Sequence, residues 1–171
     1  MGSPFTIKLE GLNEVLAKLK NASSEVVAEV DAELQAGAKD VERDAAKAVP
    51  VDVGFLKNAI SSKRVDDLSY EVVAQESYAP YVEFGTRSKV KIPEGLEAYA
   101  AKFRGKSDKK GAWLAISAWC KRKGIEKSKW YSIYKKIMTE GVNPQPFMFP
   151  ALQKNLPKIV GRIEKVLKKK R

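Results

Sequence analysis

Two places in the chain bring together side chains that could do chemistry. Asp108-Lys109-Lys110 sets an acid beside lysines at the spacing found in metal-dependent nucleases. That chemistry needs two or three carboxylates around a metal ion, with the lysine close to the reacting phosphate. No partner acid stands near Asp108, and the segment reads as a polar loop. Asp66-Asp67 could hold a cation, but it links two β-compatible runs and reads more simply as a solvated turn. The chain has no histidine and one cysteine, Cys120. Zinc sites, Ser–His–Asp triads and Cys–His dyads are therefore excluded, and an internal disulfide has no second partner. No glycine-rich phosphate loop or Gly-x-Ser-x-Gly elbow occurs. The expectation is no catalysis, no metal and no cofactor.

Charge is the next source of chemistry, and it is unevenly spread. The 171 residues carry 32 basic and 21 acidic side chains, a net of +11. Residues 1–60 hold 7 basic and 10 acidic groups, and residues 61–86 hold 2 and 5, so each segment is net −3. Residues 87–136 hold 15 basic against 4 acidic, net +11. Residues 154–171 hold 8 against 1, net +7. Faces of opposite sign favour directional association. Within the central block, Lys121, Arg122, Lys123, Lys127, Lys129, Lys135 and Lys136 lie among Trp113, Trp119, Trp130 and Tyr131. Aromatic and basic residues interleaved in this way can stack on and pair with nucleic acid. The competing reading makes the tryptophans core and the lysines solvated. Trp113 and Trp119 lie six residues apart, off one narrow stripe, so one of them is free to face a partner.

Elements must position these groups. The length suits one domain. Phe5, Ile7 and Leu9 alternate as a short strand. Leu12, Val15, Leu16 and Leu19 then recur at helical spacing. Ser23 or Ser24 caps a long helix with Val27, Val30, Leu34, Ala38, Val41 and Ala45 on one stripe. Its other face holds Glu29, Asp31, Glu33, Asp40, Glu42 and Asp44, a solvated face or a partner surface. Pro50 ends it. Asp52 and Gly54 form a turn, where Asp52 can bond the backbone and Gly54 can take a positive φ. A helical turn at Leu56–Ile60 leads to a hairpin, 61–65 and 70–75. Tyr78–Phe84 is predicted as a third strand, placed at an edge by Pro80. Residues 87–142 form a mainly helical insertion, with helices over 93–103, from Trp113 to Lys123 closed by Gly124, and after a Ser128 cap. Phe147-Met148-Phe149 is predicted as a short strand. A last helix, restarted at Pro157 with Asn155 as cap, carries Leu152, Leu156, Ile159, Ile163, Val166 and Leu167. The fold class is α+β: a small antiparallel sheet packed with a long N-terminal amphipathic helix and a C-terminal helix. It is a single domain over 1–171 with the insertion inside it. No segment is long and apolar enough to cross a membrane, and no secretory leader opens the chain.

Three short motifs stand in fixed order. They are Val49-Pro50-Val51-Asp52-Val53-Gly54-Phe55-Leu56, Tyr78-Ala79-Pro80-Tyr81-Val82-Glu83-Phe84-Gly85-Thr86, and Gln145-Pro146-Phe147-Met148-Phe149-Pro150-Ala151. Gly11-Leu12-Asn13-Glu14-Val15-Leu16 precedes them. Together they resemble the tail-completion family of long-tailed double-stranded DNA bacteriophages, over residues 5–86 and 143–170. Val53 departs from the family's usual Thr, and residues 87–142 exceed its usual link.

The resemblance implies a structural protein of the virion neck, put together in the host cytoplasm. Copies would form a ring, commonly hexameric, that completes the tail, joins it to the head connector and lets DNA pass. Implied partners are further copies of the chain, a head connector or adaptor, and tail tube or tail terminator proteins, with genome DNA as a possible contact and no membrane. Tyr81, Glu83, Phe84, Gly85, Pro146 and Phe147 are expected at subunit or neck contacts, with Pro146-Phe147 as a projecting aromatic knob. The competing reading is that these residues hold the strands together. Lys121, Arg122, Lys123, Lys127 and Lys129 are the candidate DNA contacts. The alternative function is a basic nucleic-acid-binding module.

Overall fold

A computed structural model describes residues 5–8, 23–86, 97, 101 and 109–169. The motif at Gly11–Leu16, the helix after it, the basic loop before Lys109, Asp108 and almost all of the helix expected over 93–103 lie outside the described residues. The elements are β1 (Phe5–Lys8), α1 (Ser24–Ala48), α2 (Phe55–Asn58), β2 (Ile60–Asp66), β3 (Ser69–Ala74), α3 (Ala79–Phe84), α4 (Lys109–Arg122), α5 (Lys127–Glu140) and α6 (Met148–Lys169). The fold class is α+β, as the sequence predicts. The chain divides into two compact units, 1–79 with 146–171, and 80–145.

The first unit is built on a three-stranded antiparallel sheet in the order β1-β3-β2. Phe5 pairs with Ala74, Ile7 with Val72, and Ile60 with Ala74, so these apolar residues share one face. Tyr70 lies on the same face, and its hydroxyl donates to Asp31 of α1 at 3.1 Å. β3 is buried from Tyr70 to Ala74, as suits the central strand. β2 is an edge strand, and the Glu42 carboxylate of α1 accepts its Ser62 N–H at 2.6 Å. An edge N–H turned toward a carboxylate is unavailable to another strand.

α1 buries Val26, Val30, Leu34, Gly37, Ala38, Val41 and Ala45, the predicted stripe with Val26 in place of Val27. Ser23 is its N-cap residue, and its carbonyl accepts from Val27 N–H at 3.1 Å with no side-chain cap bond. The helix stops at Val49, which is extended ahead of Pro50, as the clash with the proline ring requires.

Several expectations fail for identifiable reasons. Tyr78–Phe84 is not a strand. Ala79, Pro80, Glu83 and Phe84 are buried while Tyr81 and Val82 are half-buried, which is a helical period and not alternation. Pro80 fits because the first turn of a helix leaves its N–H groups unpaired anyway. Phe147-Met148-Phe149 is likewise not a strand. α6 begins at Met148 and takes Pro150 in its first turn. Nor does α6 restart at Pro157. It runs through that proline, which sits on the exposed side. Asn155 is no cap, since its side chain is buried and donates to Asp44 at 3.0 Å and to the Ala151 carbonyl at 2.9 Å. Ser128 is no cap either, because α5 starts at Lys127 with Glu126 as its N-cap residue.

α1 and α6 pack against each other closely where Gly37 meets Ile159. A Cβ on Gly37 would lie 2.6 Å from Cγ1 and 2.7 Å from Cδ1 of Ile159. Glycine therefore sets how closely the helices approach. Phe5 also meets Phe147 edge-on at 6.5 Å between ring centroids, and Phe149 at 6.0 Å.

Candidate functional site

The first motif forms a turn in the first unit. Gly54 holds φ at +85° and its carbonyl accepts from Asn58 N–H at 3.0 Å, opening the single turn of α2. Leu56 is buried, whereas Val51, Val53 and Phe55 are exposed at 61%, 46% and 65%. Asp52 is exposed among them. Three large exposed apolar side chains thus stand within five residues, and exposed apolar surface gathered in one place is a candidate association surface. The sequence pointed to this turn for Asp52 and Gly54. The apolar patch was missed, although the Val-x-Val-x-Phe spacing carried the signal.

The second motif lies mostly in the second unit. α3 buries Glu83 and Phe84 and leaves Tyr81 half-buried. Gly85 follows at φ +68°. A Cβ there would stand 2.5 Å from the Val142 carbonyl oxygen and 2.9 Å from Pro144 N. The chain returns beside it. Thr86 N–H donates to the Val142 carbonyl at 3.0 Å, Val142 N–H to Thr86 Oγ1 at 2.8 Å, and Gln145 N–H to the Val82 carbonyl at 2.8 Å. The residues on either side of 87–140 are thus clamped together, and only glycine fits the clamp. Pro146 and Phe147 belong to the first unit. Phe147 is fully buried, so it packs inside and is not the projecting knob that the sequence suggested. Pro146 is half-buried.

The second unit also contains a helical hairpin, α4 and α5. Its turn is a Schellman closure: Gly124, at φ +66°, donates to the Lys121 carbonyl at 3.2 Å, and Ile125 N–H to the Cys120 carbonyl at 2.9 Å. Trp130 Nε1 donates to the Ile125 carbonyl at 2.8 Å. Trp113 lies 5.3 Å from Tyr134, edge to face, and 6.5 Å from Tyr131. Trp113 and Trp130 thus pack the hairpin, which favours the core reading for these two tryptophans. Lys121, Arg122, Lys123, Lys127 and Lys129 gather at its tip, all exposed.

The acidic side of α1 is not a plain solvated face. Arg162 of α6 pairs with Glu33 and Asp40, each at 3.0 Å, and Lys154 pairs with Asp44 at 2.9 Å. Arg64 of β2 lies 3.5 Å from Asp31. The bonds from Lys154 and Asn155 pull the Asp44 carboxyl down to about 2. Burial pushes Glu42 upward, but hydrogen bonds from Ser62 and Lys39 outweigh it, so its net displacement is downward. Burial, and then the bond to Asp31, raise the Tyr70 hydroxyl. These pairings join elements distant in sequence, and no local pattern announces them. Among the described residues no three potential ligands gather to hold a metal ion, and no helix is long and apolar enough to cross a membrane.

Together these features describe a small α+β chain organised around turns, clamps and packed helices. Residues 13–85 match the family described as "Bacteriophage HK97-gp10, putative tail-component". Over that span the resemblance read from the first two motifs is shown: this part of the chain is similar to phage tail components. The match supports a structural tail protein of the virion, and it points to a role other than catalysis. The third motif and α6 lie beyond the matched residues. No curated protein and no solved structure matches the chain.

Proposed function

We propose that the protein is a non-enzymatic subunit of the phage neck, assembled in the host cytoplasm as a ring of identical copies. The ring completes the tail, meets the head connector on one side and the tail tube or terminator on the other, and leaves a passage for DNA. A hexamer is the stoichiometry that the tail-completion resemblance favours. The observation that carries this reading is the family match over residues 13–85, which contain two of the three motifs. The exposed Val51, Val53 and Phe55 of the first motif support it, since a subunit needs apolar surface to bury against a neighbour. Of the six residues expected at contacts in the second and third motifs, Tyr81 and Pro146, both half-buried, are the ones with surface to offer a neighbour. Glu83, Phe84, Gly85 and Phe147 act by holding the backbone that presents them.

The test is the mass of the purified chain in solution, followed by electron microscopy of the assembled fraction. A closed ring is expected, and Phe55→Ser is expected to shift the mass toward the monomer while helix content stays unchanged. In the phage that carries the gene, inactivating it should leave tails unfinished or unjoined to heads. Normal infectious virions without the protein would refute the reading. A chain that stays monomeric at every concentration and binds DNA would favour the nucleic-acid-binding module instead.

A further inference from the structure

The tip of the α4–α5 hairpin is electrostatically unlike the first unit. There, several cations are engaged within the chain: Arg162 with Glu33 and Asp40, Lys154 with Asp44, Lys63 with Glu71, and Arg64 with Asp31 and Asp67. At the tip, residues 121–129 carry five cations against one acid, Glu126, and all five are exposed. Lys121, Lys127 and Lys129 make no ion pair among the described residues.

The placement of these cations costs the fold something. Lys121 and Arg122 suit the C-terminal end of α4. Lys127 and Lys129 do not suit α5, because they occupy its first turn, which contains no acid. A helix N-terminus is the positive end of the macrodipole and disfavours cations. Local stability therefore does not account for them. Residues that break a local rule without a local gain point to function.

What they would bind follows from what else is at the tip. Tyr131, 65% exposed and four residues on from Lys127, is the large exposed apolar residue nearest the cations, and its ring lies against Trp113 and Tyr134, so a protein partner would find one flanking anchor and no apolar cluster. The tryptophans are half-buried, and Trp113 and Trp130 make their contacts inside the hairpin. They are not presented as flat platforms for unpaired bases. A Cβ on Gly124 would meet nothing within 4 Å, so the turn between the cations is open. Five exposed cations with a single flanking aromatic, Tyr131, suit a regular array of phosphates.

We propose that the α4–α5 tip contacts the sugar–phosphate backbone of duplex DNA through Lys121, Arg122, Lys123, Lys127 and Lys129, without reading base sequence. The contact does not depend on ring assembly.

The experiment measures affinity of the full chain for a mixed-sequence DNA duplex across salt concentrations. Five phosphate contacts give a log–log slope of about −4.5, or about a 500-fold loss of affinity between 50 and 200 mM salt. Changing all five cations to Gln is expected to remove most of that slope. Lys165→Gln with Lys168→Gln and Lys169→Gln in α6 should leave the tip's contribution in place. Lys127→Glu with Lys129→Glu guards against misfolding. Acids in the first turn favour α5, so lost binding there cannot be ascribed to a melted helix. The mass of each variant is recorded alongside. Reduced slope with unchanged assembly supports the proposal. Equal slopes in wild type and tip variants overturn it. So does loss of assembly with an unchanged DNA slope, which would assign the tip to a protein neighbour and leave the tail reading standing. Tighter binding to single-stranded poly(dT) than to duplex, with tryptophan quenching, would also overturn it.

Discussion

The crossing of α1 and α6 at Gly37 gives a prediction whose sign depends on its partner. In an exposed helix, Gly→Ala stabilises by about 1 kcal/mol, because alanine gives up less backbone freedom. At Gly37 the new methyl would stand 2.6 Å from Cγ1 and 2.7 Å from Cδ1 of Ile159. Ile159 is fully buried, and a β-branched chain in a helix has almost one χ1 rotamer to use. Relief must therefore come from moving the helices apart. Overpacking of this kind costs about 1–3 kcal/mol, so Gly37→Ala should leave the wild type no more stable, or less stable by up to about 2 kcal/mol. Ile159→Ala alone should cost about 2–5 kcal/mol. In that background the clash is gone, and Gly37→Ala should stabilise by about 1 kcal/mol. The coupling in the double-mutant cycle is then about 1–3 kcal/mol. All three tryptophans lie in the second unit, so their fluorescence does not report on this crossing. Hydrogen exchange of the α1 amides does, with urea titration followed by circular dichroism as a second readout. If Gly37→Ala had the same effect in both backgrounds to within about 0.5 kcal/mol, the sites would be independent and the close approach would be refuted.

Gly85 and Gly124 share a left-handed φ but not surroundings: Gly124→Ala should cost about 1 kcal/mol, and Gly85→Ala at least twice as much, because its methyl meets the Val142 carbonyl at 2.5 Å; tryptophan-monitored melting of the second unit ranks them. Asp44 holds its proton less tightly when folded (about 2) than at its ordinary value of 3.8, so its pairing contributes fully above pH 3.8 and is lost as pH falls toward 2. The urea midpoint gap between wild type and Asp44→Asn should accordingly be steady near neutrality and close over that window, and a gap that widened on acidification would refute the pairing.

Much of this was legible in the sequence where cause is local. The stripe Val30, Leu34, Ala38, Val41, Ala45 determined α1, and Pro50 its end. Gly54 and Gly124 announced their left-handed turns, and the hairpin around Asp67-Leu68 followed from β-compatible runs about a polar link. The ordered motifs pointed to a phage tail component, and the match over residues 13–85 agrees. Charge counting located the basic character of the central block, and the structure gathers five of its cations at one helical tip.

Tertiary structure decided what depends on pairs distant in sequence. Tyr78–Phe84 fits a strand when written out, and burial of Ala79, Pro80, Glu83 and Phe84 makes it a helix. Phe147 reads as an exposed anchor in a rigid Pro-rich approach, but Phe5, about 140 residues away, meets its ring inside the first unit. The acidic side of α1 looks like a solvated face until Arg162, Lys154, Arg64 and Ser62 arrive from α6 and β2. Periodicity fixes which residues share a face. It does not fix what that face meets, because that depends on the approach of another part of the chain. Gly37 and Gly85 show the limit most plainly: the sequence gives Gly37 no role and places Gly85 only in a motif, and it is Ile159 and Val142, brought against them by the fold, that leave no room for a Cβ.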